Sequence, residues 1–329
     1  MNIEDPQTWR ELLARIISDL PERQRIAKAL DINPITLSRW ATGKSTPRPE
    51  NLHMLINALP QYRKQLAELI AIEHPHFSID LNAGADISPE IPSSFYAQAL
   101  NTHSSSPLLL RGSAVRTLIL TQILGHFDPH RQGLLAIISQ CVPPSHDKKV
   151  RSLRITEMRG MPVWGHYIEH QTQFFGAESQ SGHALLSGHP TVVQSREELL
   201  HLFPTHTTEI VESAAAFPIL LSDHAAGCLT LLSVQANYFK QSLLDLAQQY
   251  TELLVLAIER EQFYPLADIE LGIMPPLAQQ QGIIASFQQR VTKRMIQATR
   301  HQQSLTRLQA EDITWQELEE ELLQYQINL

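Results

Sequence analysis

The sequence predicts a multi-domain chain: an all-α unit first, then an α+β region with helices packed on an antiparallel sheet, then C-terminal helices. Three observations predict it. Between residues 25 and 59, short segments with apolar periodicity are separated by capping and turn residues. A stretch at 74–94 carries three prolines and no sustained periodicity, and after it strand-like apolar runs alternate with helical ones. From Ile283 to Leu323 apolar residues recur at three- and four-residue spacing without glycine or proline breaks. The expected divisions are 1–73, a linker at 74–94, a domain at 95–262 and a helical region at 263–329. A chain of 329 residues is long enough for two or three domains.

The first unit contains RIAKALDINPITLSRWATGKSTPRPENLHMLINAL, residues 25–59. Ile26, Ala27 and Leu30 form the inner face of a helix that stops at Asp31-Ile32. Asn33 offers a side-chain oxygen as N-cap, and Pro34 sits at the first helical position, where no N–H is needed. Leu37 and Trp40 face inward, and Gly43 ends the helix in the left-handed conformation. After the turn TGKSTPRP, a further amphipathic helix carries Leu52, Leu55, Ile56 and Leu59, and a preceding one spans Trp9–Ile17. The arrangement reads as a helix-turn-helix with supporting helices, leaving one short helix proud of the surface; the DNA major groove accommodates such a helix. Between Leu20 and Lys64 eight basic residues stand against three acidic ones, a local net of +5 in a chain of formal net charge −8. Phosphate neutralisation gives such a basic island a role.

Ile26-Ala27, Leu30, Leu37, Ser38-Arg39-Trp40, Gly43-Lys44, Pro47 and Leu52 to Leu59 resemble the Cro-like phage-repressor (XRE) family over about residues 8 to 72. The resemblance implies double-stranded DNA as partner. Arg23, at the start of the first motif helix, and Lys44, Ser45 and Arg48, after the second, would face the backbone. Thr36, Ser38 and Arg39 would read bases, with Ile35 against a thymine methyl and Asn33 at the helix start. The sequence departs from the family at Pro34 and Ile35, where polar residues are usual. A helical protein-interaction module of the same shape is the alternative.

In the second region Leu108–Phe127 reads as a long amphipathic helix and Gly133–Val142 as a buried strand. Val150–Met158 alternates loosely, Pro162–Phe175 returns to helix, and Pro190–Val193 is a short strand. Ala215–Leu221 and Cys228–Val234 form a hairpin across SDHAAG, and Phe239–Glu261 is a long apolar helix. Phe217-Pro218-Ile219-Leu220, Gly227-Cys228-Leu229, Phe239 and Ala257-Ile258-Glu259, with GHALLSGHPTVVQ at 182–194, resemble a GAF domain over about residues 95 to 262. The resemblance implies a domain that binds a small molecule or serves as a dimerisation unit, and leaves any cofactor unknown. Trp164, His183 and Phe217 fall where a GAF cavity would be lined. Arg151 and Arg154, in the basic run 148–154, would meet an anionic group of the ligand, the alternative being a solvated, charged strand edge. The glycine-punctuated segment Pro162–Gly188 would be the lid.

Other chemistries find little support. The only cysteines, Cys141 and Cys228, lie in apolar runs far apart in sequence, which fits a reducing compartment and argues against a redox loop or a disulfide scaffold. HYIEH at 166–170 matches an inverted zinc-peptidase pattern, but a chain with fifteen histidines produces such pairs by chance, and no third ligand follows. There is no phosphate loop, kinase signature or nucleophile elbow, so no enzyme is expected. No run of eighteen apolar residues suggests a membrane span, and the opening MNIEDPQTWRELL is unlike a secretory leader.

The reading is a cytoplasmic, ligand-responsive transcription regulator. A homodimer is expected from the apolar face of Phe239–Ile258 (Leu243, Leu246, Tyr250, Leu253, Leu254, Ala257) and the stripe from Val291 to Leu322, which includes Leu308. That stripe would be a coiled-coil seam or a helical pair packed back on the preceding domain. The alternative function is a protein-interaction adaptor with a ligand-free GAF core.

Overall fold

A computed structural model of the chain describes residues 6–30, 32–59, 62–73, 90–129, 131–144, 148–160, 162–165, 172–204 and 210–327. Among the described residues the first unit has five α-helices: α1 (Trp9–Ile16), α2 (Leu20–Ala29), α3 (Pro34–Ala41), α4 (Pro49–Asn57) and α5 (Arg63–Glu73). Local chemistry sets their ends. Thr8 caps α1 by accepting from the Glu11 N–H, Asn33 caps α3 by accepting from the Ile35 N–H at 2.9 Å, and Pro49 opens α4. Trp9, Leu13, Ile26, Leu37, Leu52 and Leu55 are fully buried in one shared core. Each such side chain contributes roughly 1.5–3 kcal/mol relative to exposure.

The second unit comprises α6 (Ser93–Ser105), α7 (Leu108–Phe127), β1 (Leu134–Cys141), β2 (Leu153–Gly160), β3 (Phe174–Phe175), α8 (Gln180–Ser187), β4 (Thr191–Val193), α9 (Arg196–Leu202), β5 (Ser213–Leu221), β6 (His224–Ser233), α10 (Gln241–Leu253) and β7 (Tyr264–Pro265). The strands form one sheet in the order β3-β2-β1-β6-β5-β4, with β7 added to β6, and every pairing is antiparallel. Asp128 ends α7 and starts β1: its carboxylate accepts the backbone N–H groups of Gln132, Gly133 and Leu134. Gly227 lies opposite Gln140, and a Cβ there would collide with the Ser139 carbonyl, so only glycine lets β6 approach β1 at this point.

The sheet is covered on both faces. Ala136, Ile138, Phe217, Ile219, Leu229 and Leu231 pack with Ile119, Ile123 and Phe127 of α7 and with Leu243, Leu246 and Tyr250 of α10. On the other face Leu135, Ile137, Met158 and Leu232 meet Trp164, Leu199 and Phe203, while Ala184 and Leu185 of α8 pack on Cys141 and Cys228. Helix α7 is the one described helix long and apolar enough to cross a membrane by length and composition; Val115, Ile119, Leu120, Ile123, Leu124 and Phe127 pack it on the sheet, while Leu108, Leu109 and Leu110 at its start are exposed.

Three segments differ from the sequence reading. Within Pro162–Phe175, Pro162–Trp164 is a 3₁₀ turn, and Phe174 and Phe175 pair with β2 as an edge strand; residues 166–171 lie outside the described residues. The helix expected over Phe239–Glu261 stops at Leu253 and continues as 3₁₀ turns at Leu254–Ala257 and Arg260–Gln262. The cause is tertiary, because Arg116 donates to the Ala257 carbonyl at 3.3 Å and a ring nitrogen of His103 lies 2.8 Å from the Leu256 carbonyl. The hairpin turn is only Ser222-Asp223, with Ser222 at φ 56°, and His224–Gly227 already belongs to β6.

The tail forms α11 (Leu277–Ile284), α12 (Phe287–Arg300) and α13 (Arg307–Ile327). It packs back on the sheet. Phe287 and Trp315 stack with centroids 3.7 Å apart, and both join Val142 and Phe174 in one cluster with Val291, Leu318 and Leu322. The apolar stripe is consumed by this packing, and Leu308, 58% exposed, lies outside it. Gln280 of α11 is fully buried beside the edge strand: its amide accepts the Phe174 N–H at 2.8 Å and donates to the Phe174 carbonyl at 2.9 Å, replacing the missing neighbour strand. Replacing Gln280 with leucine should therefore destabilise the 90–327 unit by about 2–4 kcal/mol, since three backbone groups, the Phe174 N–H and the Phe174 and Pro275 carbonyls, lose partners. Urea denaturation measures the loss, and hydrogen exchange should localise it to the Phe174 amide.

Candidate nucleic-acid interface and ligand site

The surface of the first unit is built around α3. Leu37 and Trp40 anchor it in the core, which turns Ile35 (68% exposed) and Arg39 outward. Thr36 and Ser38 are half-buried, and Ser38 Oγ leans toward the Pro34 carbonyl at 3.5 Å. Gly43, at φ 71°, closes the helix and sends the chain to Lys44, Ser45 and Arg48. Lys44 and Arg48 are exposed and Ser45 is half-buried. Among the described residues Arg39, Lys44 and Arg48 form no ion pair, so their charges are available to a partner. Arg23 is half-buried, with its Nε enclosed and unpartnered. Asn33 is occupied as the cap of α3. The side chains of Arg63 and Lys64 lie outside the described residues.

Sequence reasoning missed the residue that fixes α3. Arg10 donates to the Trp40 carbonyl at 2.7 Å and pairs with Glu73 at 2.8 Å, tying α1, the end of α3 and α5 together. Nothing in the local sequence marks it, because its partners are distant in the chain.

The five residues expected to line a ligand cavity are not brought together. Arg154 lies on the opposite face of β2 from its neighbours Leu153 and Ile155, and its guanidinium rests 4.3 Å over the Trp315 ring. Arg151 pairs with Glu270 at 3.7 Å, and Lys149 reaches Asp268 and Glu270. The segment leading to the tail thus covers Lys149 and Arg151, while Lys148 is exposed. Phe217 packs on the α7/α10 face, since in the all-apolar run AAAFPILL alternation gives no clue to which side is which. His183 is exposed, its ring 6.1 Å from that of Phe203. Trp164 is fully buried on the second face, with Nε1 donating to the Gly133 carbonyl at 3.1 Å.

Polar groups on that second face are already satisfied. Ser181 and Thr230 share a hydrogen bond of 2.8 Å, and Gln180 donates to the Thr191 and Ala214 carbonyls. Cys141 and Cys228, distant in sequence, occupy one small cluster on adjacent strands. Both are buried as free thiols, and burial pushes the pKa of both up, Cys228 to about 12. Such thiols are poor nucleophiles and poor metal ligands. His166 and His170 lie outside the described residues, and no group of three metal-binding side chains gathers among the rest. In the presumed lid, Glu178 accepts from the Gly176 and Met274 N–H groups, each at 2.9 Å, and Ala177 donates to the Gly272 carbonyl. Residues 176–178 of the lid segment are therefore pinned to the approach to the tail.

No family model matches the chain, and no curated protein matches it. Solved structures are similar to part of it. The GAF domain region of a Geobacter sulfurreducens protein is 20% identical, with a TM-score of 0.32, over 50% of this chain and 97% of that one. The GAF domain of a phosphoenolpyruvate-protein phosphotransferase from Coxiella burnetii is 15% identical, with a TM-score of 0.35, over 50% and 89%. The fRMsr of Staphylococcus aureus, in complex with its substrate, is 13% identical, with a TM-score of 0.35, over 51% and 98%. The α+β assignment stands on the sheet order and helix packing described above.

Proposed function

We propose that the chain is a sequence-specific DNA-binding transcription regulator without enzymatic activity. Residues 8–72 would act as an XRE-type helix-turn-helix, and residues 95–262 as a GAF-type domain that senses a small molecule. The observation that carries the reading is the surface of α3: Ile35 and Arg39 point outward, Lys44 and Arg48 follow Gly43, and no carboxylate among the described residues neutralises the three cations. An exposed helix edge with an apolar tip, a guanidinium and flanking cations suits a major groove bounded by phosphates.

One short reading helix gives few base contacts, so two copies are needed about one turn of DNA apart. The dimer surface cannot be the apolar face of α10, because Leu243, Leu246, Tyr250, Leu254 and Ala257 are buried within the protomer. We place it on α6 and the start of α7, where Leu100, Leu108, Leu109 and Leu110 are each more than half exposed. Side chains of that kind rarely cluster on a monomer's surface without a partner.

A second reading keeps the DNA-binding dimer and gives the 95–262 domain a structural role without ligand. It is favoured by Trp164, which fills the second face of the sheet. A thermal-shift screen of nucleotides, cyclic dinucleotides, haem and common metabolites separates the two, since a ligand at a hundredfold excess over its Kd stabilises by about 2.7 kcal/mol.

Two outcomes are expected. In selection of genomic fragments with the purified protein, Arg39→Ala should cost about 1–3 kcal/mol and relax one base position, whereas Lys44→Ala should weaken all sequences alike and reduce the log–log salt slope by about 1. Failure to enrich any sequence would overturn the reading. In sedimentation at micromolar concentration the chain should run near twice its 37.2 kDa mass, and Leu109→Asp should shift it to monomer while leaving the melting temperature within a degree or two. A wild-type monomer would remove the dimer from the proposal.

A further inference from the structure

Between β1, β2, α7 and the tail, two buried side-chain donors, Gln140 Nε2 and Arg116 Nε, have no hydrogen-bond acceptor. Gln140, Arg154 and Phe174 are register partners across these strands, so the side chains of Gln140 and Arg154 share one face of the sheet. Arg116, on α7, is close enough to Arg154 for the two guanidiniums to repel. Burial is the main cause that lowers the Arg154 pKa to about 10; Asp312 and Glu311 oppose the shift and Arg116 adds to it. Trp315 covers one face of the Arg154 guanidinium, leaving its in-plane N–H edges to find acceptors. Among the described residues these edges make one bond, to the Ile155 carbonyl at 3.4 Å.

The neighbouring donors are no better matched. Gln140 Nε2 is buried without a partner. Arg116 Nε is also buried without a hydrogen bond, because its ion pair with Glu157 spans 3.6 Å, beyond hydrogen-bonding reach. Glu157 is shared with Thr117 and Arg159, and Asp312 is a carboxylate whose pKa burial has raised. Buried donors without acceptors are rare in folded proteins, and a set containing two guanidiniums and an amide is complementary to an oxyanion.

We propose that Gln140, Arg116 and Arg154 form a binding site for an oxyanion, the phosphate or carboxylate group of a small molecule, between the sheet, α7 and α13. The site is on the opposite face of the sheet from Trp164 and the expected ligand cavity, and it does not depend on the DNA-binding reading. Its occupant would also hold α13 to the sheet, because Trp315 stacks on the same guanidinium.

The test uses the full chain and thermal melting in inorganic phosphate, in acetate and in chloride at equal ionic strength. The wild type should melt roughly 5 °C higher at saturating phosphate or acetate than in chloride. A response to phosphate alone assigns a phosphoryl group, and a response to both assigns any small oxyanion. Gln140→Leu, which removes the orphan donor and keeps the volume, should melt higher than wild type in chloride and lose most of the anion response. Arg154→Lys, which keeps the charge but not the planar fork, should retain the fold and weaken the response. An equal rise in wild type and Gln140→Leu would be the general stabilising effect of phosphate on any fold and would overturn the proposal. So would no anion response at all, or a Gln140→Leu chain less stable than wild type in chloride, which would mean the amide is already satisfied.

Discussion

The central constraint on this molecule is strand β1. It is apolar on both faces from Leu134 to Ile138, pairs with β2 on one edge and β6 on the other, and is buried throughout except at the half-buried Gln140. Everything around it serves as cover. Helices α7 and α10 close one face, and Trp164 with α8 and α9 closes the other. The carboxylate of Asp128 makes the entry into β1 possible by satisfying three backbone N–H groups that would otherwise be buried unpaired. Beyond the end of the strand, Val142 passes under Phe174, Phe287 and Trp315, so the tail completes the cover rather than extending away from it.

The first unit follows a different economy. Its core is large for five short helices, and the polar groups near α3 are used inwardly: Asn33 caps, Ser38 leans on the backbone, and Arg10 fixes the helix end. What remains outside is a narrow set, Ile35, Arg39, Lys44 and Arg48. A rigid helix that presents few groups suits a partner whose recognition is geometric, because the position of each group is then determined by the core behind it.

Much of this was legible in the sequence wherever the determinants are local. Helix Leu108–Phe127 is readable to its ends, since Pro107 precedes it and Asp128 stops it. The Asn33-Pro34 start and Gly43 stop of α3 are equally local. The break after Leu253 was not legible, because it depends on Arg116 and His103, more than a hundred residues away in the chain. The face on which Phe217 lies was hidden by an unbroken apolar run, and the fate of Arg154 by its dependence on Trp315 in the tail. For the same reason the basic run pointed to Arg154 alone among the members of the proposed oxyanion site: these come from α7, β1 and β2 and meet only after the sheet has formed.

The capping of β3 by Gln280 has a consequence for how copies of this chain meet. An open sheet edge is a template on which another chain can add a strand, and that is a common route to aggregation. Here one edge is two residues long and already hydrogen-bonded to a side-chain amide, and the opposite edge, β4, is three residues long and flanked by helices. Backbone pairing between protomers is thereby disfavoured at both ends of the sheet. Association is left to side-chain surfaces on the helices, where partner and register are set by shape rather than by a generic ladder of amides.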